Sequence, residues 1–370
     1  LPLLRARLAS LPGQPPAQAR LVCLDTETTG LGTAAGTLAF LVGLGWWEGD
    51  RFRQLQLLCP DHADEAALLA AVEAAIPPDA WLVTYNGRSF DWPLLVTRYR
   101  MLRRAAPTHA GMLDLLPHVR RLFRHRLGDA RLATVERHLL GVRRDGDVAG
   151  AEIPDRYLAF IRGGSAAPLA PVVAHNAEDV RSLGRLLVHL DREYADPARR
   201  RLAPAGDLVA LARGYTRERR HEPALACLEE AEAGWHAPAP RPGAWAPGLA
   251  AAGPPVSRER IRAERARTLR RLGRPGEAAA AWQAIAVAGG PGSAHAWVEV
   301  AKLREHGLDD DHGALVATAA AEAAAERSRL LGRSDASLRD ALAQRRRRLA
   351  TRLGRAGDGL PAADVPASPR

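Results

Sequence analysis

Between residues 21 and 192 the apolar positions change their period along the chain. Leu21-Val22-Cys23-Leu24 is a short continuous apolar run, and residues 38–47 form a longer one. Runs of this length, rich in branched and aromatic side chains, predict buried strands. Residues 52–58 predict a third strand, joined to the second by the turn Glu48-Gly49-Asp50, and Trp81-Leu82-Val83-Thr84-Tyr85 predicts a fourth. Helical spacing of apolar positions predicts helices over 62–75, 92–104, 112–124, 131–140, 154–162 and 171–194. Three adjacent strands followed by a strand mixed with helices predict an α/β domain built on a mixed sheet flanked by helices.

Residues 195–205 are polar and predict a linker, and no strand is needed beyond them. Helix pairs are expected over 208–233, 261–285 and 296–321, broken near His221-Glu222, at Gly273-Arg274-Pro275-Gly276 and near Gly307. Ala224, Ala278 and Ala314 recur at separations of 54 and 36 residues. Setting aside the Pro/Gly/Ala-rich stretch 236–256 brings the first separation close to the roughly 34-residue period of tetratricopeptide repeats. The segment from Gly273 to Trp282 resembles the turn and second helix of such a repeat, but most of the expected aromatics are missing. A generic Ala-rich helical domain stands as the other reading. The expected organisation is a lead-in segment (1–20), an α/β domain (21–194), a linker (195–205), and an all-α, helical-repeat-like domain (206–357) with an insertion at 236–256. A disordered Pro/Ala-rich tail (358–370) follows.

Composition narrows the class. At 370 residues, 47% apolar and 25% charged, the chain is long enough for two globular domains. Its net charge of +10 is carried almost wholly by arginine, Lys302 being the only lysine. That balance suits a polyanionic partner such as nucleic acid, or reflects an Ala/Arg-rich proteome. Cys23, Cys59 and Cys227 are scattered, which argues against a disulfide framework or zinc ribbon and for a reducing, cytoplasmic setting. No apolar run is long enough to span a bilayer, so no membrane partner is expected.

The candidate chemistry lies in carboxylates. Asp25-Thr26-Glu27 ends the first strand, and alternation puts Asp25 and Glu27 on one side of it. Paired carboxylates resist burial unless a cation compensates them, and hard oxygen ligands suit Mg²⁺ or Mn²⁺. Asp91 lies in Tyr85-Asn86-Gly87-Arg88-Ser89-Phe90-Asp91-Trp92-Pro93, where an ordinary helix cap is the competing reading and Asn86 can be a turn residue. In the late helix Val172, Leu183, Leu186 and Leu190 define one face. At about 100° per residue Asp179 falls on it, with His175 one turn earlier. A charge on the core-facing stripe demands compensation; a structural His–Asp hydrogen bond is the alternative to a functional site. Together Asp25, Glu27, Asp91 and Asp179 make a clamp for two divalent ions in phosphoryl transfer, with His175 placed to accept or orient a proton. Arg120, Arg121, Arg124, His125 and Arg126 either hold phosphates or form a solvated helix face.

With those residues in place, the chain resembles the DEDD superfamily of 3′–5′ exonucleases, which share a ribonuclease H-like fold. The order Asp-x-Glu, Asn-Gly-x-x-Phe-Asp and His-Asn-x-x-Asp is most similar to the bacterial YprB-like branch. Met112-Leu113-Asp114-Leu115-Leu116, Thr134-Val135-Glu136 and Ile153-Pro154-Asp155-Arg156-Tyr157 agree with it. The resemblance covers residues 20–192. It implies that Asp25, Glu27, Asp91 and Asp179 ligate two Mg²⁺ or Mn²⁺ ions, that Thr26, Asn86 and Phe90 contact the substrate, and that single-stranded 3′ ends are the partner. In one departure, the histidine stands four residues before the last aspartate, where the superfamily has a tyrosine there or a histidine at five. The general-base role of His175 therefore leans less on the resemblance than the four ligands do.

Two other functions compete. Asp25-Thr26-Glu27-Thr28-Thr29 superficially resembles the nucleophile motif of haloacid-dehalogenase-type phosphatases, but Glu27 stands where that chemistry needs an aspartate. A nucleic-acid-binding scaffold, its helical half docking a protein partner, is the non-enzymatic alternative.

Overall fold

A computed structural model describes residues 15–16, 18–30, 36–144, 146–195, 197–235, 256–333 and 335–357. Most of the lead-in segment, the insertion up to Pro255 and the tail 358–370 lie outside the described residues. The first unit begins with β1 (Arg20–Thr28), β2 (Ala39–Glu48), β3 (Arg51–Leu58), α1 (Glu65–Ala75), β4 (Ala80–Thr84), α2 (Asp91–Met101) and β5 (Gly111–Asp114). It continues with α3 (Leu115–Leu127), α4 (Leu132–Val135), which runs into a π-helical turn over Glu136–Leu140, α5 (Ile153–Ile161) and α6 (Ala170–Ala195).

The strands form one sheet in the order β3-β2-β1-β4-β5. The two pairs on the β3 side are antiparallel, and the two on the β5 side are parallel. This is the mixed sheet expected from the sequence. β1 is central and buried along most of its length, which explains its apolar run. Val22, Leu24, Val42 and Leu82 join one core with Leu68, Leu69 and Val72 of α1, Leu94, Leu95 and Tyr99 of α2, and Tyr157 of α5. The opposite face is crossed by α6, which packs on β1, β2 and β3. It comes close because β2 carries glycines there: a Cβ on Gly43 would lie 2.7 Å from Val180 Cγ2 and would also meet the Asn176 amide.

Two expectations are corrected. The helix predicted over 112–124 starts at Leu115; Gly111–Asp114 is the edge strand β5, paired in parallel with β4. Four residues are too few to show a period of two, so the apolar pair Met112-Leu113 blends into the helix behind it. The stretch 195–205, expected as a linker, contains a short helix, α7 (Pro197–Arg200), and leads directly into α8 (Ala205–Arg217). α8 packs on α3, where the wholly buried Asp207 accepts from Arg126 Nε at 3.0 Å and Nη2 at 2.9 Å. The first compact unit accordingly extends to Glu218.

The second unit takes up Arg219 to Trp235 and resumes at Val256. It is all-helical: α9 (His221–Gly234), α10 (Arg258–Arg271), α11 (Pro275–Val287), α12 (Ser293–Gly307), α13 (Asp311–Leu330) and α14 (Ala336–Gly357). Successive helices pack on one another from α9 through α14. Ala224, Ala278 and Ala314, the residues that set the internal period, are all fully buried.

Candidate functional site

Asp25 and Glu27 project from β1 on the side that α6 covers, as alternation requires. Asp25 sits opposite Gly43 and Glu27 opposite Leu41, and a register shift follows between Glu27 and Thr28. The Asn176 amide on α6 donates to Asp25 Oδ2 at 2.9 Å, and Gln56 Nε2 fixes that amide by donating to its oxygen at 3.0 Å. Thr26 points the other way, and its hydroxyl donates to Asp91 Oδ1 at 2.5 Å. Asp91 is the first residue of α2, follows the cap residue Phe90, and is 6% exposed. The competing reading of Asp91 as a simple cap does not describe it: its carboxylate bonds to a side chain 65 residues away.

The loop before α2 is shaped by Asn86, whose φ of 70° is left-handed. Its carbonyl accepts from Ser89 N at 3.0 Å and Phe90 N at 3.1 Å. Asp114, at the end of β5, accepts from the Asn86 amide at 2.8 Å, Arg88 N at 3.3 Å and Leu116 N at 3.1 Å. One carboxylate thus pins the loop and caps α3. Asn86 is exposed and Phe90 half-buried at the edge of this loop.

Asp179 lies on α6 with Val172, Leu183 and Leu186 fully buried on the same helix. Its Oδ1 accepts from Arg144 Nη2, and His175 Nε2 stands 3.7 Å from Oδ2. Arg144 also donates to Glu136, which is 1% exposed on the π-helical turn, and lies 3.3 Å from Asp147. His175 Nδ1 is 2.7 Å from Asp147 Oδ1. Nδ1 also lies 3.3 Å from Arg144 Nη1, so the ring is held between Asp147 and Arg144 on one side with Nε2 turned to Asp179 on the other.

The acids feel one another strongly. Burial pushes the Asp25 carboxyl well above its ordinary range, and the charges of Asp179, Asp91 and Glu27 push it further. Glu27 is raised to about 8, first by burial and then by Asp179, Asp91 and Asp147, with Arg144 opposing. Asp91 is raised to about 6 by burial, against hydrogen bonds from Thr26 that lower it. Asp147 goes the other way: burial would raise it, but the His175 hydrogen bond and the charges of His175 and Arg144 prevail.

Carboxylates whose charges repel where burial is considerable are the kind of oxygen donors that suit hard divalent cations. Among the described residues no group of three or more His, Cys, Asp or Glu is drawn together at ion-holding distance. Asp25 is held by Asn176, Asp91 by Thr26 and Asp179 by Arg144.

The sequence missed four residues here. Asn176 and Glu136 lay inside quoted motifs without a role, and the burial of a glutamate within an apolar helix face was the available signal for Glu136. Arg144 and Asp147 come from an irregular segment with no periodic signal. The basic candidates on α3 divide. Arg126 is buried against Asp207, and His125, itself exposed, has Nε2 3.1 Å from the same carboxylate, whereas Arg120 and Arg124 are exposed and Arg121 is half-buried.

Residues 22–191 match the RNase_H_2 family of the RNase_H superfamily, in keeping with the mixed five-stranded sheet flanked by helices. Ribonuclease H-like nucleases are in general hydrolytic and dependent on divalent metal ions. The chain is also similar to the "Uncharacterized protein YprB" of Bacillus subtilis (strain 168), with 35% identity over 213 residues, covering 56% of this chain and 51% of that protein. The chain therefore spans about half the length of the curated relative it matches. Among the described residues no helix is long and apolar enough to cross a membrane, and the three cysteines are buried.

Proposed function

We propose that the protein is a metal-dependent 3′–5′ exonuclease acting on single-stranded ends of nucleic acid. What supports this most is that Asp25 and Glu27, one strand step apart on the central strand, both feel the charges of Asp91 at the start of α2 and Asp179 on α6. In this reading those four acids hold two Mg²⁺ or Mn²⁺ ions, which would activate a water and neutralise the charge developing on the leaving 3′ oxygen. His175, oriented by Asp147, takes or steers the proton of that water through Nε2. Thr26 serves by fixing Asp91, since its hydroxyl is already committed to that carboxylate. Asn86 and Phe90 offer an amide and a ring at the loop edge, suited to hydrogen bonding and stacking with a terminal nucleotide. The helical unit, with its tetratricopeptide-like spacing, is read as an adaptor for a protein partner.

The test uses single-stranded oligonucleotides labelled at one end and blocked at either the 3′ or the 5′ terminus, with Mg²⁺ or Mn²⁺. Stepwise shortening from an open 3′ end, lost in Asp25→Asn and Asp179→Asn, is the expected result. Shortening that persists in both variants, or that proceeds from the 5′ end, overturns the reading. Tight oligonucleotide binding without hydrolysis in either metal would instead favour the scaffold alternative.

A further inference from the structure

Arg144 belongs to none of the motifs above, yet its guanidinium reaches the carboxylate pocket from the segment between the π-helical turn and α5. Its side chain is 13% exposed. Three carboxylates hold it: Glu136, Asp147 and Asp179. Only Asp179 is one of the four acids assigned to the ions. Glu136 is almost wholly buried behind the guanidinium, and Asp147 lies beside it. Glu136 and Asp147 therefore anchor the arginine independently of Asp179.

A donor already lacks an acceptor. The Arg144 Nε hydrogen is buried and finds no hydrogen-bond partner among the described residues. Were Asp179 to turn to a cation, Nη2 would keep Glu136 and lose one of its two acceptors. A buried guanidinium with free donors seeks an anion, and its planar fork matches two oxygens of a phosphate. The anion that the exonuclease reading brings to this pocket is the phosphodiester itself. We propose that Arg144 contacts a non-bridging oxygen of the scissile phosphate and stabilises the charge that gathers there, making it a further catalytic residue. This inference rests on the exonuclease reading. Arg144 transfers no proton in this role; it remains a cation throughout.

The experiment compares the full chain with Arg144→Gln and Arg144→Lys. It measures hydrolysis, Mn²⁺ affinity by calorimetry, affinity for a labelled single-stranded oligonucleotide in Ca²⁺, and thermal melting. Arg144→Gln is expected to lower kcat by about 100-fold, the range seen when one transition-state donor is lost. It should also weaken oligonucleotide binding, while Mn²⁺ affinity is unchanged or tighter because Asp179 has lost its competitor. Arg144→Lys should recover part of the rate. If Arg144→Gln does not fold, Arg144→Lys decides: normal Mn²⁺ affinity with slowed turnover supports the proposal. Activity in Arg144→Gln equal to or above that of the wild type overturns it, an increase marking Arg144 as a restraint on Asp179. Parallel loss of melting temperature, Mn²⁺ binding and turnover in both variants also overturns it, leaving only a structural brace. A wild-type chain that cleaves nothing overturns the exonuclease reading and this inference with it, whereas an active wild type beside an equally active Arg144→Gln overturns this inference alone.

Discussion

Replacing Glu27 by glutamine should make the metal-free protein less sensitive to alkaline pH. The Glu27 carboxyl is raised from its ordinary 4.5 to about 8 by burial and by neighbouring acids. Between those values the folded chain holds a proton that the unfolded chain has released. Stability from this group is therefore complete below the unfolded value and is lost as pH rises toward 8. A tenfold difference in proton affinity between the folded and unfolded chains is worth about 1.4 kcal/mol, so the linkage amounts to roughly 4 kcal/mol by pH 8, with about 2 kcal/mol of it lost between pH 6 and 8. Asp91, raised only to about 6, is half titrated at the start of this window and adds little beyond pH 7. Asp25 adds to the same slope. Urea unfolding followed by circular dichroism in EDTA at pH 6, 7 and 8 reads the effect. The wild type should lose about 2 kcal/mol more than Glu27→Gln over that range, and excess Mg²⁺ should flatten the difference by replacing the protons. Parallel curves for the two chains, or a wild type that grows more stable toward pH 8 in EDTA, would refute the electrostatic account of the pocket.

Three other perturbations have defined outcomes. Gly43→Ala places a methyl group against Asn176 and Val180; it should cost about 1–3 kcal/mol by thermal melting and reduce hydrolysis by displacing the Asn176 amide from Asp25. Deleting 206–370 removes Asp207 and strands the buried Arg126, a loss on the order of 3–5 kcal/mol, whereas deleting 219–370 keeps α8; gel filtration and melting should show the longer piece folded and the shorter one impaired. Asp114→Ala releases the Asn86 and Arg88 amides and the α3 cap; a stability loss of about 1–3 kcal/mol is expected, together with a rise in KM for short oligonucleotides larger than the fall in kcat.

The central strands were legible because burial on both faces leaves an unbroken apolar run, as in β1 and β2. Asp179 was legible because a carboxylate on the stripe shared with Leu183 and Leu186 contradicts burial unless something answers it. β5 was not, since four residues carry too little pattern. Ownership of α8 was not either: amphipathic helices look alike in sequence, and only the Asp207 pairing with Arg126, 81 residues earlier, reveals which core it joins. Arg144 was hidden for a different reason. In a chain so rich in arginine, no single guanidinium stands out, and its meaning depends on Glu136 and Asp179, which only the fold brings beside it.

The hydrogen bond from Asn176 to Asp25 joins residues 151 positions apart. A ribosome making this chain completes β1 well before α6, the helix that closes over it, has emerged. Until then Asp25 lacks the Asn176 amide. Contacts of such long range form slowly, so nascent and prematurely terminated chains share one property: whatever chemistry the finished pocket performs, they are born without it.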